Sequence, residues 1–412
     1  MDTFHMPASH THEGQPRPTI LMVGAIPPTR MAINLGSLRN GGFFRLFNVS
    51  PEIAGRSATE GIEKAIRKHK PRAIMLRPAA FPRNVCRSVF DDFPHDVFIG
   101  NLGTGVDHLD GLRDHPKVKF ITPSGKNIQR PASGPISVAE LTVFLAKCLR
   151  RPLHDAALLG RHADPLHFHN QHEALLNARL LRGAQWLCLG AGNQVRALLP
   201  LLKAYGVKKA TVWNPRGNWD GTRIAKLLSE MPPVSVVGGE SNFTATFGSR
   251  FQIEGVTDYT TAASIADVVS IHVGGNSLNN PPVYVDSRFL ALLKASAHLI
   301  NVSRGHLVDE PSVVAALLSG LLGGFATDVI SHKAETNKEP KESPIWELFQ
   351  QSQSGLAALK KGHGQPNLVV LPHVGGSTVE AFEPFTCEVI AKVLDEIGLL
   401  NWRTWLLERR AA

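Results

Sequence analysis

With 412 residues and 43% hydrophobic content, the chain is long enough for two ordinary cores and too apolar to be disordered throughout. Its formal charge of +9 favours anionic ligands, but the Lys and Arg are scattered and accompany no reading motif, so nucleic acid is not an expected partner. No apolar run reaches the roughly 18 residues of a membrane span, and Met1-Asp-Thr-Phe-His5 does not open a signal pattern, so a cytoplasmic protein without a membrane partner is expected.

Residues 1–18 are rich in His and Pro and poor in apolar groups, which reads as a flexible leader. From there short apolar runs predict strands at Thr19–Gly24, Ala73–Leu76, Val97–Gly100 and Val118–Ile121, separated by helix-length segments, as in a first βα domain. Ser137-Val-Ala-Glu140 is a Ser-x-x-Glu capping pattern, and the run Leu141–Leu149 behind it is apolar almost all round. A helix starting there is expected to be buried between domains or subunits. Cys86, Cys148, Cys188 and Cys387 never form a Cys-x-x-Cys pair, and Cys148 and Cys188 lie in apolar runs, so packed thiols in a reducing compartment are expected. His162, His167, His169 and His172 have no Cys or paired carboxylate beside them and are read as surface histidines; no metal site is expected.

A second series of strand candidates runs through Gln185–Leu189, Ala210–Trp213, Val234–Val237, Asp267–Val273, His298–Val302, Phe325–Ile330 and Leu368–Leu371. Strands alternating with helices predict a doubly wound parallel sheet. Glu240–Ala262 and Gln350–Pro366 read as inserted surface loops, and Ser377-Thr-Val-Glu380 as the cap of a last helix.

Within that series Leu189-Gly-Ala-Gly-Asn-Gln-Val195 follows a strand and opens a helix, which is the context of a dinucleotide fingerprint. Gly190 permits the tight turn and Gly192 lets backbone approach a pyrophosphate. Asn193, Gln194 and Val195 then start the helix whose N–H groups face the phosphates, Val195 standing where a third glycine is usual. Past the next strand Asn214 occupies the position of the acidic residue that binds a ribose 2′-hydroxyl. Arg216, with Lys208 and Lys209, could pair with a 2′-phosphate, which tilts the expected cofactor from NAD towards NADP.

Three later strand candidates end in polar groups: Ser270-Ile-His272-Val, Asn301-Val-Ser-Arg304-Gly305 and Thr327-Asp328-Val. A fourth runs into Pro372-His373-Val-Gly-Gly376. Arginine offers a planar fork to a carboxylate and histidine a proton donor with a pKa near neutrality, so Arg304 and His373 are the catalytic candidates.

In this order and with these neighbours the motifs resemble the D-isomer-specific 2-hydroxyacid dehydrogenases, of the phosphoglycerate dehydrogenase and glyoxylate/hydroxypyruvate reductase kind, over roughly residues 70 to 385. The resemblance implies two doubly wound α/β domains: a flavodoxin-like substrate domain (19–134 with 376–412), a Rossmann nucleotide domain (135–375) and an interdomain cleft. It implies hydride transfer between NAD(P) and a small anionic substrate, a 2-oxo acid or D-2-hydroxy acid, and a homodimer formed through the nucleotide domains. Asp328 then faces the nicotinamide carboxamide and His272 lies near the cofactor. Gly103, Thr104 and Gly105, in Leu102-Gly-Thr-Gly-Val-Asp107, form a backbone nest for the substrate carboxylate, with Arg77 nearby. The family's third catalytic group, a glutamate five residues past the aspartate, falls here on Lys333; Glu335 is taken in its place, Glu339 being the other candidate. The departures at Val195, Asn214, Gly274-Gly275 and Lys333 leave two further readings open. One is a nucleotide-binding regulatory protein of the C-terminal-binding-protein corepressor type, and the other a dehydrogenase for a phosphorus oxyanion or another non-carboxylate anion.

Overall fold

The computed structural model describes residues 18–23, 45–49, 58–76, 85–102, 107–122, 133–151, 178–248, 250–274, 283–331, 343–353 and 366–399. The chain divides into two compact units, one of Met1–Ser133 with Thr378–Ala412 and the other of Gly134–Ser377.

The first unit holds a five-stranded, all-parallel sheet in the order β2-β1-β3-β4-β5, with β1 Thr19–Val23, β2 Arg45–Val49, β3 Ala73–Leu76, β4 Val97–Asn101 and β5 Val118–Ile121. Every side chain of β1 and β3 is buried, as a parallel sheet covered on both faces requires. Helix α1 (Ala58–His69) contributes Ile62 and Ile66 to one face of the core, and it places Glu60 in its first turn and Arg67, Lys68 and His69 in its last, as its dipole favours. Val389, Ile390, Val393 and Leu394 from the last described helix cover the other face.

The second unit is built on a nine-stranded sheet in the order β14-β13-β12-β11-β6-β7-β10-β9-β8. Its strands are β6 Gln185–Leu189, β7 Lys209–Trp213, β8 Ser235–Gly238, β9 Asn242–Phe247, β10 Phe251–Val256, β11 Val268–Ile271, β12 His298–Asn301, β13 Gly324–Thr327 and β14 Leu368–Val370. The helices are α2 Ser133–Arg150, α3 Asn193–Ala204, α4 Gly221–Leu227, α5 Thr260–Ile265, α6 Ser287–Leu292, α7 Glu310–Leu318 and α8 Pro344–Gln353; α9, Val379–Glu396, is the last described helix of the first unit. Residues of α2, α3 and α4 pack on one face of the sheet around Trp186, Trp219 and Phe243. Those of α5, α6, α7 and α8 pack on the other around Phe289 and Phe325. The chain works outward from β6 to β7 and β10, then returns to β11 and continues the other way. The switch point therefore lies between β6 and β11, where open α/β sheets receive ligands.

Several elements differ from the sequence reading. Glu240–Ala262 is not a loop: it holds β9, β10 and the start of α5, and β9 buries alternate residues, Phe243, Ala245 and Phe247. That period of two lies in Asn-Phe-Thr-Ala-Thr-Phe, where the threonines disguise a half-buried strand as polar sequence. As a result β10 takes the parallel place beside β7, and the Val234–Val237 run becomes β8, an exposed antiparallel strand at the sheet's edge. β2 follows no continuous apolar run and was not among the expected strands. Helix α8 extends to Gln353, into the expected 350–366 loop. Helix α2 begins at Ser133, with Pro135 accepted in its first turn, so Ser137 lies inside the helix and caps nothing. At α9 the cap is Thr378, whose Oγ1 accepts the N–H of Ala381 at 3.2 Å, one residue beyond the expected Ser377. Cys148, Cys188 and Cys387 are buried free thiols and Cys86 is exposed. The leader and the 161–172 histidines lie outside the described residues. Among the described residues, no helix is long and apolar enough to cross a membrane and no cluster of metal-ligating side chains occurs.

Candidate functional site

The candidate residues of the second unit converge on the carboxyl ends of six parallel strands, β14, β13, β12, β11, β6 and β7, which are consecutive in the sheet. At the switch point the turn after β6 meets the end of β11. Gly190 has φ 121°, and a Cβ there would lie 2.8 Å from the carbonyl carbon of His272, so only glycine allows the two strand ends to touch. Gly192 caps α3 with extended backbone, and beyond its own chain neighbours nothing lies within 4 Å of where its Cβ would be. The N–H groups of Asn193, Gln194 and Val195 follow in the first turn. An open glycine cap on a twelve-residue helix suits a pyrophosphate, so the residues present fit a dinucleotide. The Val195 side chain is fully buried in the core with Leu198 and Leu199, leaving only its backbone for a phosphate.

His272, at this junction, is buried and part of a directed chain of hydrogen bonds. The Trp186 indole N–H donates to Ser270 Oγ at 2.8 Å, Ser270 Oγ lies 2.9 Å from His272 Nε2, and His272 Nδ1 lies 3.2 Å from Gln194 Oε1. Gln194 Oε1 only accepts, so Nδ1 carries the ring proton and Nε2 is the acceptor facing the Ser270 hydroxyl, which also lies 3.9 Å from Cys188 Sγ. Burial pushes the His272 pKa down to about 3; the neutral ring carries its proton on Nδ1, towards Gln194. His272 thus fixes the side chain of the second residue of α3. Ser270 and Trp186 were not among the sequence candidates, although a lone serine in Val-Val-Ser-Ile was a usable signal.

At the end of β7, Asn214 is buried, accepting the N–H of Arg216 at 3.1 Å and donating to the carbonyl of Asn218 at 3.1 Å. Its amide shapes the turn on which Arg216 stands exposed. Lys208 and Lys209 do not join it: they lie at the opposite end of β7, roughly 13 to 16 Å away along a strand, and Lys209 is paired with Glu254 at 2.6 Å. That distance and that ion pair exclude them as partners of a 2′-phosphate held by Arg216.

Past β12, Asn301 builds the turn that presents Arg304. Its Oδ1 accepts the N–H of Ser303 at 3.0 Å and its Nδ2 donates to the carbonyl of Arg304 at 2.9 Å, while Ser303 Oγ donates to the carbonyl of Val273. Arg304 is half-buried, with Nη1 donating to the Ser303 carbonyl at 3.0 Å. A Cβ on Gly305 would come within 2.1 Å of the Ile330 carbonyl, so the arginine turn lies directly on the chain leaving β13. Glu310, buried and overlooked in the sequence because an acidic residue at a helix start reads as a simple cap, fastens that chain. It accepts from the Ser331 N–H at 2.5 Å and from Ser343 Oγ at 2.5 Å, the two residues flanking 332–342. Burial raises its pKa, and these bonds oppose the rise.

Asp328, past β13, is buried, with Oδ1 accepting the N–H of Val374 and Oδ2 that of Gly375, each at 2.7 Å. Burial raises its pKa, countered by those two bonds and by the charge of His373. Its carboxylate therefore organises the histidine segment, whatever it offers a nicotinamide. His373, past β14, is exposed and has φ 57°, in the left-handed region. Arg304, Asp328 and His373 thus follow three neighbouring strands, about 5 Å apart each. Arg77, Gly103, Thr104, Gly105, Lys333, Glu335, Glu339 and Gly275 lie outside the described residues.

Residues 221–375 match the family model of the D-isomer specific 2-hydroxyacid dehydrogenase, NAD binding domain. The chain is 34% identical over 148 residues to D-3-phosphoglycerate dehydrogenase of Escherichia coli K12, a match covering 36% of this chain and 30% of that one. A putative D-3-phosphoglycerate dehydrogenase of Schizosaccharomyces pombe is 34% identical over 143 residues, 33% of this chain and 28% of its own. The chain thus aligns with less than a third of the length of these relatives. Among solved structures, D-mandelate dehydrogenase of Rhodotorula graminis has a TM-score of 0.62 at 20% identity, covering 92% of this chain and 94% of that one. NADPH-dependent glyoxylate/hydroxypyruvate reductase of Sinorhizobium meliloti has a TM-score of 0.58 at 20% identity, covering 93% and 95%. These two likenesses establish the fold.

Proposed function

We propose that this protein is an NAD(P)-dependent oxidoreductase, a reading supported by the match of residues 221–375 to the family model of the D-isomer specific 2-hydroxyacid dehydrogenase, NAD binding domain. It interconverts a small 2-oxo acid and the D-2-hydroxy acid, working chiefly as a reductase. The observation that carries the reading is the placement of Arg304, Asp328 and His373 past three adjacent strand ends, beside an open glycine turn at the switch point. Arg304 grips the carboxylate and polarises the ketone, its planar fork matching two oxygens. The reduced nicotinamide, when bound, supplies hydride to the carbonyl carbon. His373 gives its proton to the carbonyl oxygen, so the ketone becomes a hydroxyl and the imidazole is left neutral.

The α3 first turn holds the pyrophosphate, with Gln194 oriented by His272. An uncharged Asn214 and an exposed Arg216 support NADP over NAD, since nothing acidic stands at that turn position to repel a 2′-phosphate. Ile136 and Phe144, exposed apolar residues of α2, support a homodimer. Calorimetric titration with NADPH and NADH, each with glyoxylate or hydroxypyruvate and with nicotinamide absorbance followed in parallel, tests the reading. Tight NADPH binding with oxo-acid-dependent oxidation is expected; nucleotide binding without turnover on any oxo acid would refute the reductase, and no binding would refute the dinucleotide site.

A further inference from the structure

Serine inside a helix ordinarily donates to the carbonyl four residues back, and on α2 Thr142 does so, its Oγ1 reaching the Val138 carbonyl at 2.7 Å. Ser137, on the same helix and buried, does not. Its Oγ donates at 2.6 Å to the carbonyl of Gly375, 238 residues away in the chain. That residue belongs to the histidine segment. The left-handed backbone at His373 turns the next two N–H groups, of Val374 and Gly375, onto the two oxygens of Asp328. Gly375 is thereby held from both sides: its N–H by a carboxylate and its C=O by a hydroxyl. It is also packed tightly, since a Cβ on it would lie 2.8 Å from Asp328 Oδ2 and 3.2 Å from Leu141 of α2. A left-handed residue that is not glycine carries backbone strain and persists only where neighbours over-determine it, and the neighbours here include these two groups and the Ser377 N–H, which donates to the Val374 carbonyl at 2.8 Å.

We propose that Ser137 is a positioning residue for His373, its hydroxyl completing with Asp328 a two-sided clamp that holds the histidine in its left-handed, proton-donating pose. The proposal rests on the catalytic reading of His373 given above. Asp328 holds the N–H groups of Val374 and Gly375, and the Val374 carbonyl accepts the Ser377 N–H at 2.8 Å, which fixes the peptides on either side of Val374; the Ser137 bond fixes the next peptide, through the Gly375 carbonyl. Ser137 touches neither substrate nor cofactor and acts through His373.

Ser137→Ala and Ser137→Thr are compared with the wild type by steady-state kinetics, NADPH titration and amide hydrogen exchange of Val374 and Gly375. For Ala, kcat falls about tenfold, as loosening a catalytic group by a fraction of an ångström does, while NADPH affinity changes less than twofold. The two amides exchange at least about tenfold faster, since their carboxylate bonds open more often. Thr, which keeps the hydroxyl, restores kcat and exchange to within about twofold of wild type. Unchanged kcat and exchange in the Ala variant overturn the proposal, as does a loss of kcat that follows a fall in Tm and is not restored by Thr when Thr itself folds with a wild-type Tm. Should Thr prove too large, seen as a lowered Tm, exchange in the Ala variant decides. A wild type that turns over no oxo acid defeats the reductase reading; the exchange comparison still decides whether Ser137 clamps the segment.

Discussion

The two flanks of the nine-stranded sheet differ in their ladders, parallel on one side and antiparallel on the other. On one flank β12, β13 and β14 are short, parallel and largely buried, and polar turns follow each of them. There Asn301, Asp328, Glu310 and Ser137 are consumed in holding backbone, so that Arg304 and His373 stand in fixed places. On the other flank β10, β9 and β8 fold back antiparallel, and β8 exposes every residue. The candidate residues gather where parallel strands deliver their carboxyl ends side by side, and where buried polar groups are spent on the turns. The antiparallel extension alternates strand directions and so cannot gather strand ends on one edge.

The sharpest way to break this contrast is Arg304→Ala. It should lower kcat/KM for an oxo acid by at least about a thousandfold, near 4 kcal/mol, while NADPH binds within about threefold of wild type. A small loss would move the carboxylate contact elsewhere. Gly305→Ala should come next. Its methyl would strike the Ile330 carbonyl at 2.1 Å, and a backbone that must yield costs about 3 kcal/mol, read as a lowered denaturation midpoint with activity falling beside it.

Acid titration addresses the switch point. The folded His272 resists protonation down to about pH 3 because it is buried, whereas in the unfolded chain it takes a proton near pH 6.5. Below pH 6.5 the unfolded state therefore binds the extra proton, and stability falls as pH drops towards 3. The loss is about 2 kcal/mol at pH 5 from this group. His298, lowered to about 4 by burial, acts in the same direction. Denaturant unfolding at pH 5 and pH 7 should show His272→Asn flattening, without abolishing, the dependence; an unchanged slope would mean that the ring is not buried neutral. The smallest effect belongs to the other flank. Val237→Thr, on exposed β8, should change stability by less than about 0.5 kcal/mol and leave turnover untouched.

The same contrast explains which parts were readable in advance. Runs such as Val268–Ile271 or His298–Asn301 are short and mostly apolar, and they end in recognisable polar turns, so the parallel flank and the positions of Arg304 and His373 could be read locally. Asn-Phe-Thr-Ala-Thr-Phe alternates instead, and its threonines look like loop residues until Phe243 is seen packed against Trp219 at 5.0 Å. Lys208 and Lys209 sit close to Arg216 in number, but strand length carries them to the opposite edge of the sheet.

By itself the sequence determined the alternation of strands and helices outside β2 and the β8–β10 extension, the glycine turn after β6 and the residue types delivered to the strand ends, because periodicity, glycine geometry and side-chain chemistry are local properties. Only the tertiary structure decided that Ser137 serves Gly375 rather than a helix cap, that Asp328 holds the histidine segment, that Glu310 fastens the chain leaving β13, and that His272 is buried as a neutral ring. Each of these depends on which distant group fills the last hydrogen bond of a buried donor or acceptor. A buried polar atom must find a partner, but nothing local in the chain says where that partner stands.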